Sequence, residues 1–544
     1  MPNRKSTAVL ASTLVVPLMF ASAAALAQRL THVPSANPRI AGVTVPTRLS
    51  QELAQIAAAQ GALPVENPTD AVKYYGYLGD QPNLLPAPGS NVEASKTEPD
   101  KNTYLVLRGQ HGADSQYDYG THFLFQGHEG PFSGPSGGKG SITRINLDAD
   151  AAHRVTVLAT RDRDNAPLPT FDGSTWNPFA QRLLFTAEGD GTSSGGVWQA
   201  TADLPSMVED LRGVMGRGGY EGIQNDSDGN VWLVEDIGGS TVAGARLPNS
   251  FIYRFVPDNP SDLRQGGKVQ ALQVLSRATP GQAIVFQTAS ALTQDIKDLH
   301  TYGKVFDTRW VTIHDTAVDG FAPFNANQLA KDKKATPFKR PENGVFRPGS
   351  HFGEFFFTET GDTSATSTAA AEHGGFGGIM QLTQAGPSAA TGKLRLFFKG
   401  DLAHTAFDNI TFWSEHRLVA VEDRGDTLHT QGNALDSGWM FDTRRDYADT
   451  SNEPVRIIAL GRDPSSTIDA ALLGSAGFFN DGDNEITGIH VSDGDAHRSG
   501  ILGAKIPRPF RNGWRVFYTQ QHGDNVTYEI IPAPRADDDR DHRD

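Results

Sequence analysis

The sequence runs four times through one short unit: an acidic residue, a Gly-containing turn, then a strand that ends in Glu or Asp. The copies are Tyr220-Glu221-Gly222 to Trp232-Leu233-Val234-Glu235-Asp236, Arg340-Pro341-Glu342 to Phe355-Phe356-Phe357-Thr358-Glu359, and Phe407-Asp408-Asn409 to Leu418-Val419-Ala420-Val421-Glu422-Asp423. A weaker copy runs from Phe171-Asp172-Gly173 to Leu183-Leu184-Phe185-Thr186-Ala187-Glu188. Equivalent positions of stacked repeats lie around a common axis. Carboxylates at those positions converge, and converging carboxylates need a cation.

Between the copies, short runs rich in Val, Phe, Trp and Tyr are bounded by Gly, Asp, Asn and Pro. Tyr104-Leu105-Val106-Leu107, His122-Phe123-Leu124-Phe125 and Trp514-Arg515-Val516-Phe517-Tyr518 are examples. That is strand chemistry. The spacing predicts an all-β fold, a β-propeller over residues 104–531. A four-stranded blade takes roughly 40–50 residues. With insertions, and with one unrecognised repeat between Glu235 and Glu359, six blades are expected. Helical signals are few: Ala291–Tyr302, one turn at Ser367–Glu372, and a short helix at Gln51–Ala62. Residues 28–103 read as an irregular N-terminal segment, with a Pro/Gly/Asn/Ser-rich surface excursion from Pro82 to Pro99. Residues 532–544 read as a disordered charged tail.

Residues 1–27 read as a signal peptide: a basic Asn3-Arg4-Lys5 head, an apolar run, and Ala25-Leu26-Ala27 before Gln28. With no Arg-Arg pair, a general secretory route to the periplasm or exterior is expected. The chain has no cysteine, so neither disulfides nor thiolate ligands are available. A net charge of −15 argues against nucleic acid or an anionic membrane as partner. An anionic substrate then needs a local cation. A monomer is expected.

Several motifs carry candidate chemistry. Glu221 is a candidate metal ligand, while Asp226 and Asp228 in the following Asp-Ser-Asp-Gly-Asn read as a plain hairpin turn. Arg340-Pro341-Glu342 pairs a guanidinium, whose fork suits phosphate oxygens, with a carboxylate that suits a hard cation. Asp408 opens a strand. Glu485 closes an acidic stretch that begins at Asn480 and alternates carboxylates as a cation loop does. His128 and Glu129 stand at the mouth of a strand, without the second His that a zincin requires.

Together these motifs resemble the PhoX-type alkaline phosphatases, exported six-bladed propellers. The resemblance rests on Gly127-His128-Glu129, Phe171 to Glu188, Tyr220 to Asp236, Arg340-Pro341-Glu342 with Phe355-Phe356-Phe357-Thr358, Phe407-Asp408-Asn409 and Glu485-Ile486-Thr487-Gly488. It implies a phosphomonoesterase with iron and calcium in the channel. Glu221 and Glu342 are then metal ligands, with Asp408 and Glu188 beside them, and Arg340 is a phosphate contact. The family's Asn-Cys-Ala-Gly-Gly stretch is replaced here by Thr170-Phe171-Asp172-Gly173-Ser174, with Asp172 as an oxygen ligand one place along. An all-oxygen site suits Ca²⁺ or Mg²⁺ rather than the same iron cluster. The expected function is metal-dependent hydrolysis of a small phosphomonoester. The alternatives are a non-catalytic calcium-binding propeller and another metal-dependent hydrolase, such as a lactonase.

Overall fold

The computed structural model describes residues 30–39, 45–69, 72–80, 84, 94–130, 140–461, 485–522 and 525–534. The leader, most of the Pro82–Pro99 excursion, the acidic stretch at 480–484 and the tail from 535 lie outside the described residues.

The strands form a propeller-like arrangement of antiparallel sheets. Apart from a two-stranded hairpin at Thr241–Val242 and Ala245–Arg246, four sheets stand alone. One comprises Pro99–Val106, His122–His128, Ile142–Asn146 and Val155–Ala159. A second comprises Ser174–Asn177, Arg182–Ala187, Gly196–Ala200 and Val208–Asp210. A third holds Phe407–Phe412, Arg417–Glu422, Ser437–Asp442 and Val455–Ala459, with Arg48–Leu49 at its edge. The fourth runs Glu485–Ser492, Arg515–Gln521, Val526–Pro532 and then Leu53–Ala59.

The remaining large sheet has nine strands. Tyr220–Asn225, Val231–Glu235, Ile252–Pro257 and Gly267–Val274 form one side, and Gly344–Phe346, Glu354–Glu359, Gly378–Gln384 and Thr391–Lys399 the other. Val305–Asp315 bonds to both outer strands and joins them. The sheets are therefore not the six separate blades expected from the spacing. Nor does the Glu235–Glu359 interval hide another repeat. It holds the rest of one four-strand group, the joining strand and short helices, including Gln294–Leu299 capped by the Thr293 side chain.

The first strands of the groups meet around the axis. In chain order, Pro99–Val106, Ser174–Asn177, Tyr220–Asn225, Gly344–Phe346, Phe407–Phe412 and Glu485–Ser492 each contact the next, and the last returns to the first. Closure is made by the chain's two ends. Leu53–Ala59 pairs antiparallel with Val526–Pro532. This overturns the helix expected at Gln51–Ala62: an open sheet edge supplies ladder hydrogen bonds that outweigh the helix propensity of its alanines.

Near-continuous apolar runs form these strands because both faces are covered. Successive side chains point to opposite faces, so each run feeds two cores. Phe355 and Phe357 pack with Trp232 and Val234, whereas Phe356 packs with Phe407 and Ile410. Trp232 is fully buried, with the rings of Trp310, Phe346 and Phe355 at 5.1, 5.1 and 4.9 Å. Its Nε1 donates to Asp226 Oδ2 at 2.9 Å. Trp232→Ala is expected to cost about 3–5 kcal/mol in urea unfolding, since it empties this pocket and removes one hydrogen bond from a buried carboxylate.

Candidate metal centre

The acidic residues of the inner strands are aimed by bulges. In three of these strands the register shifts directly after the first pair, at Pro99/Asn102, Tyr220/Ile223 and Phe407/Ile410. Two residues then oppose one, which re-aims side chains. The bulged pairs are Asp100-Lys101, Glu221-Gly222 and Asp408-Asn409. The glycines are required by close approach rather than by a turn. A Cβ at Gly173 would lie 2.0 Å from the Glu221 carbonyl oxygen, and one at Gly222 would lie 2.7 Å from that of Glu342. Hydroxyls pin the neighbours: Thr186 Oγ1 donates to Glu221 O and Thr358 Oγ1 to Asp408 O, both at 2.6 Å.

A second layer comes from residues just past the second strand of each group. Glu129 follows His122–His128, Glu188 follows Arg182–Ala187, and Asp236 follows Val231–Glu235. The two layers combine into three groups, each with its carboxylate oxygens within 4.8 Å of one another: Asp100, Glu129 and Asp172; Asp172, Glu188 and Glu221; Glu221, Asp236 and Glu342. Asp172 and Glu221 each belong to two groups, so the three form one continuous arc. Glu188 is the least buried of its members. One oxygen of Asp172 is buried without a hydrogen-bond partner, although the residue is only 2% exposed.

Burial, reinforced by the neighbouring carboxylates, pushes Glu129, Asp172, Glu188 and Glu221 well above the usual carboxylate range. Burial and Asp236 push Glu342 up to about 8, and burial also raises Asp100. So many carboxylates cannot ionise together in a buried space without cations. The arc is all oxygen, the donor set of Ca²⁺ and Mg²⁺. The unpartnered Asp172 oxygen and the shared carboxylates fit such ions.

Of the residues singled out from sequence, Glu221, Glu342, Glu188 and Asp172 come together in this arc. Asp408 and Glu485 belong to none of its groups. Asp408 accepts from Asn409 Nδ2 at 2.8 Å, and Glu485 lies 3.5 Å from His522 Nε2. Both are also pushed well above the carboxylate range, by burial first and then by nearby acids including Asp423. Arg340, at φ +52°, commits its fork to Asp236: Nε donates to Oδ2 at 2.9 Å and Nη2 at 2.6 Å. Its Nη1 donates to Thr363 Oγ1 at 2.9 Å, and Nη2 lies 3.5 Å from Glu342.

Asp100, Asp236 and Lys101 were not anticipated as site residues. Asp236 is preceded by Glu235, and only the first of that pair is structural: Glu235 accepts from Phe251 N and Tyr253 Oη. His128 is also structural, bonded to Thr97 and Thr143 and pushed by burial down to about 3. Asp226 accepts from the backbone N–H groups of Asp228 and Asn230, as a turn residue does.

Residues 203–453 match the family model described as alkaline phosphatase PhoX. That span, somewhat under half of the chain, is similar to the PhoX alkaline phosphatases. Pseudomonas fluorescens PhoX, solved in complex with vanadate as a transition state analogue, superposes with a TM-score of 0.52 at 11% identity, covering 92% of this chain and 98% of that one. YCF48 from Cyanidioschyzon merolae and Sqt1 from Chaetomium thermophilum align more loosely. Their TM-scores are 0.31 and 0.32 at 11% and 10% identity, each over 80% of this chain and 95% and 97% of theirs. No curated protein matches in sequence. Phe171 is fully buried against Phe185 and Trp198. Asp172, the next residue, is the one that enters the carboxylate arc.

Proposed function

We propose that the chain is an exported phosphomonoesterase whose carboxylate arc holds divalent cations, Ca²⁺ or Mg²⁺. The observation that carries this reading is the arc itself: three adjoining oxygen groups, joined by the shared Asp172 and Glu221 and flanked by the Arg340 guanidinium. Cations held there would neutralise the charge on a phosphoryl group and acidify a water molecule. The protein's own part is to fix that charge pattern. Asp172 and Glu221 couple neighbouring groups, so their geometry is shared. Thr360 donates its hydroxyl to Glu342 and orients that carboxylate. Arg340, held by Asp236 and Thr363, is assigned to the phosphoryl oxygens through its remaining N–H groups. A small phosphorylated substrate would enter beside Glu188, the least buried carboxylate of the arc.

Two further features belong to this reading. The nine-stranded sheet comprises two blades joined through Val305–Asp315, which with the four separate sheets makes six. The N-terminal leader directs export, and the protein acts as a monomer. Among the described residues no helix is long and apolar enough to cross a membrane.

The test is hydrolysis of a chromogenic phosphomonoester with added Ca²⁺, Mg²⁺ or Fe, for the wild type and Glu342→Gln. Turnover that requires a cation and falls about 100-fold or more in the variant is expected. No turnover under any cation would overturn the reading. One observation favours a second reading, cations that serve structure alone: the Arg340 fork is already engaged by Asp236. That reading predicts chelator-sensitive melting without turnover.

A further inference from the structure

Lys101, the residue after Asp100, is buried inside the ring. It is 2% exposed, and its Nζ donates to Asn343 Oδ1 at 2.6 Å. Lys101 thus spans from the Pro99–Val106 strand to the residue that opens Gly344–Phe346. Asn343 Nδ2 lies 3.4 Å from Asp408 Oδ1, and Asn409 Nδ2 reaches both that oxygen and Thr487 Oγ1, at 2.8 and 3.1 Å. Thr487 in turn donates to Asp100. Lys101, Asn343, Asp408, Asn409, Thr487 and Asp100 therefore form a buried polar belt across four inner strands. Burial lowers the Lys101 ammonium, and the nearby carboxylates of Asp408, Asp100, Asp172 and Glu221 oppose that fall.

Asp408 is the odd member of the ring. It has the same bulged position as Glu221 and Asp100, yet it joins no group of three metal-capable side chains among the described residues. Its Oδ2 is buried and accepts no hydrogen bond. A buried carboxylate in that condition needs a compensating positive charge.

We propose that the Lys101 ammonium is that charge, a fixed cation standing where a metal ion would otherwise be drawn to Asp408. The position after the bulged acid is Gly in Glu221-Gly222 and Asn in Asp408-Asn409, neither of which carries charge. Lys101 therefore distinguishes one side of the ring from the other. It confines divalent cations to the arc from Asp100 to Glu342 and makes Asp408 a second positioning partner rather than a ligand. This inference rests on the reading that the arc binds divalent cations.

Equilibrium dialysis against Ca²⁺ followed by elemental analysis tests it, on the wild type, Asp408→Asn, Lys101→Met and the double variant. Asp408→Asn is expected to keep the wild-type number of bound ions. Lys101→Met is expected to gain one per chain, and the double variant to lose that gain. Loss of one ion in Asp408→Asn, or an unchanged count in folded Lys101→Met, would overturn the inference. If Lys101→Met does not fold, the Asp408→Asn count still decides. A wild type that binds no cation defeats the proposed function instead, so the two failures are distinct.

Discussion

Replacing Glu221 by Gln is expected to disturb two cation positions at once and to lower phosphatase turnover by about 10³-fold, the upper range for removing one electrostatic stabiliser. Glu221 is shared between the group with Asp172 and Glu188 and the group with Asp236 and Glu342. Among the described residues only Asp172 shares that property. The substitution is nearly isosteric, so the bulge and the Thr186 bond to the backbone carbonyl are preserved. The expected stability change has opposite signs in the two forms. With cations present the variant melts lower than wild type, because a ligand is gone. After chelation it melts higher at pH 8, because one of several buried, mutually repelling carboxylates has been made neutral. Differential scanning calorimetry of both proteins, with and without EDTA, reads both signs. A purely structural carboxylate would not give the crossover.

Chelation itself is expected to have the second large effect. A cation held at 100–1,000 times its Kd contributes about 3–4 kcal/mol of stability, so three occupied groups amount to about 10 kcal/mol. Unfolding entropy of about 2 cal/mol/K per residue converts this to a fall in Tm of about 10 °C for a chain of this size. The effect depends on pH. Without cations, Glu342 titrates at about 8 in the folded protein against 4.5 unperturbed. The folded state then holds protons that the unfolded chain releases. That contribution to stability is complete below about pH 4.5 and is lost as the pH rises through 8. Chelated protein is therefore expected to melt highest in mild acid and to weaken toward pH 8. Cation-loaded protein is expected to lose this decline, because the bound ions favour the ionised carboxylates. An EDTA-treated protein whose Tm rises from pH 5 to pH 8 would contradict this electrostatic account.

Much of the architecture was legible because its physical signals are local. Runs such as Phe355-Phe356-Phe357 and Leu418-Val419-Ala420-Val421 alternate between two cores, so they read as fully buried strands. The acids of Glu221 and Glu342 stand out because each opens a unit that recurs. What was not legible depends on distant pairing. Leu53–Ala59 is a strand only because Val526–Pro532, at the other end of the chain, needs a partner. Asp100 lies in that same N-terminal region, ahead of any recognisable apolar run, and its role follows from a register shift that local composition does not encode. Asp236 was masked by Glu235. The two are adjacent and chemically alike, but the chain turns between them, and only Asp236 reaches the arc. The joining strand Val305–Asp315 lengthened one interval and gave the false appearance of a hidden repeat.

The central claim is that the arc from Asp100 to Glu342 is a cation site. Elemental analysis of the purified wild type beside Glu221→Gln, both dialysed against the same Ca²⁺ and Mg²⁺ buffer, tests it most directly. The account predicts tightly bound divalent metal in the wild type and at least one ion fewer per chain in the variant. Metal-free wild type, or equal metal in the two proteins, would contradict it.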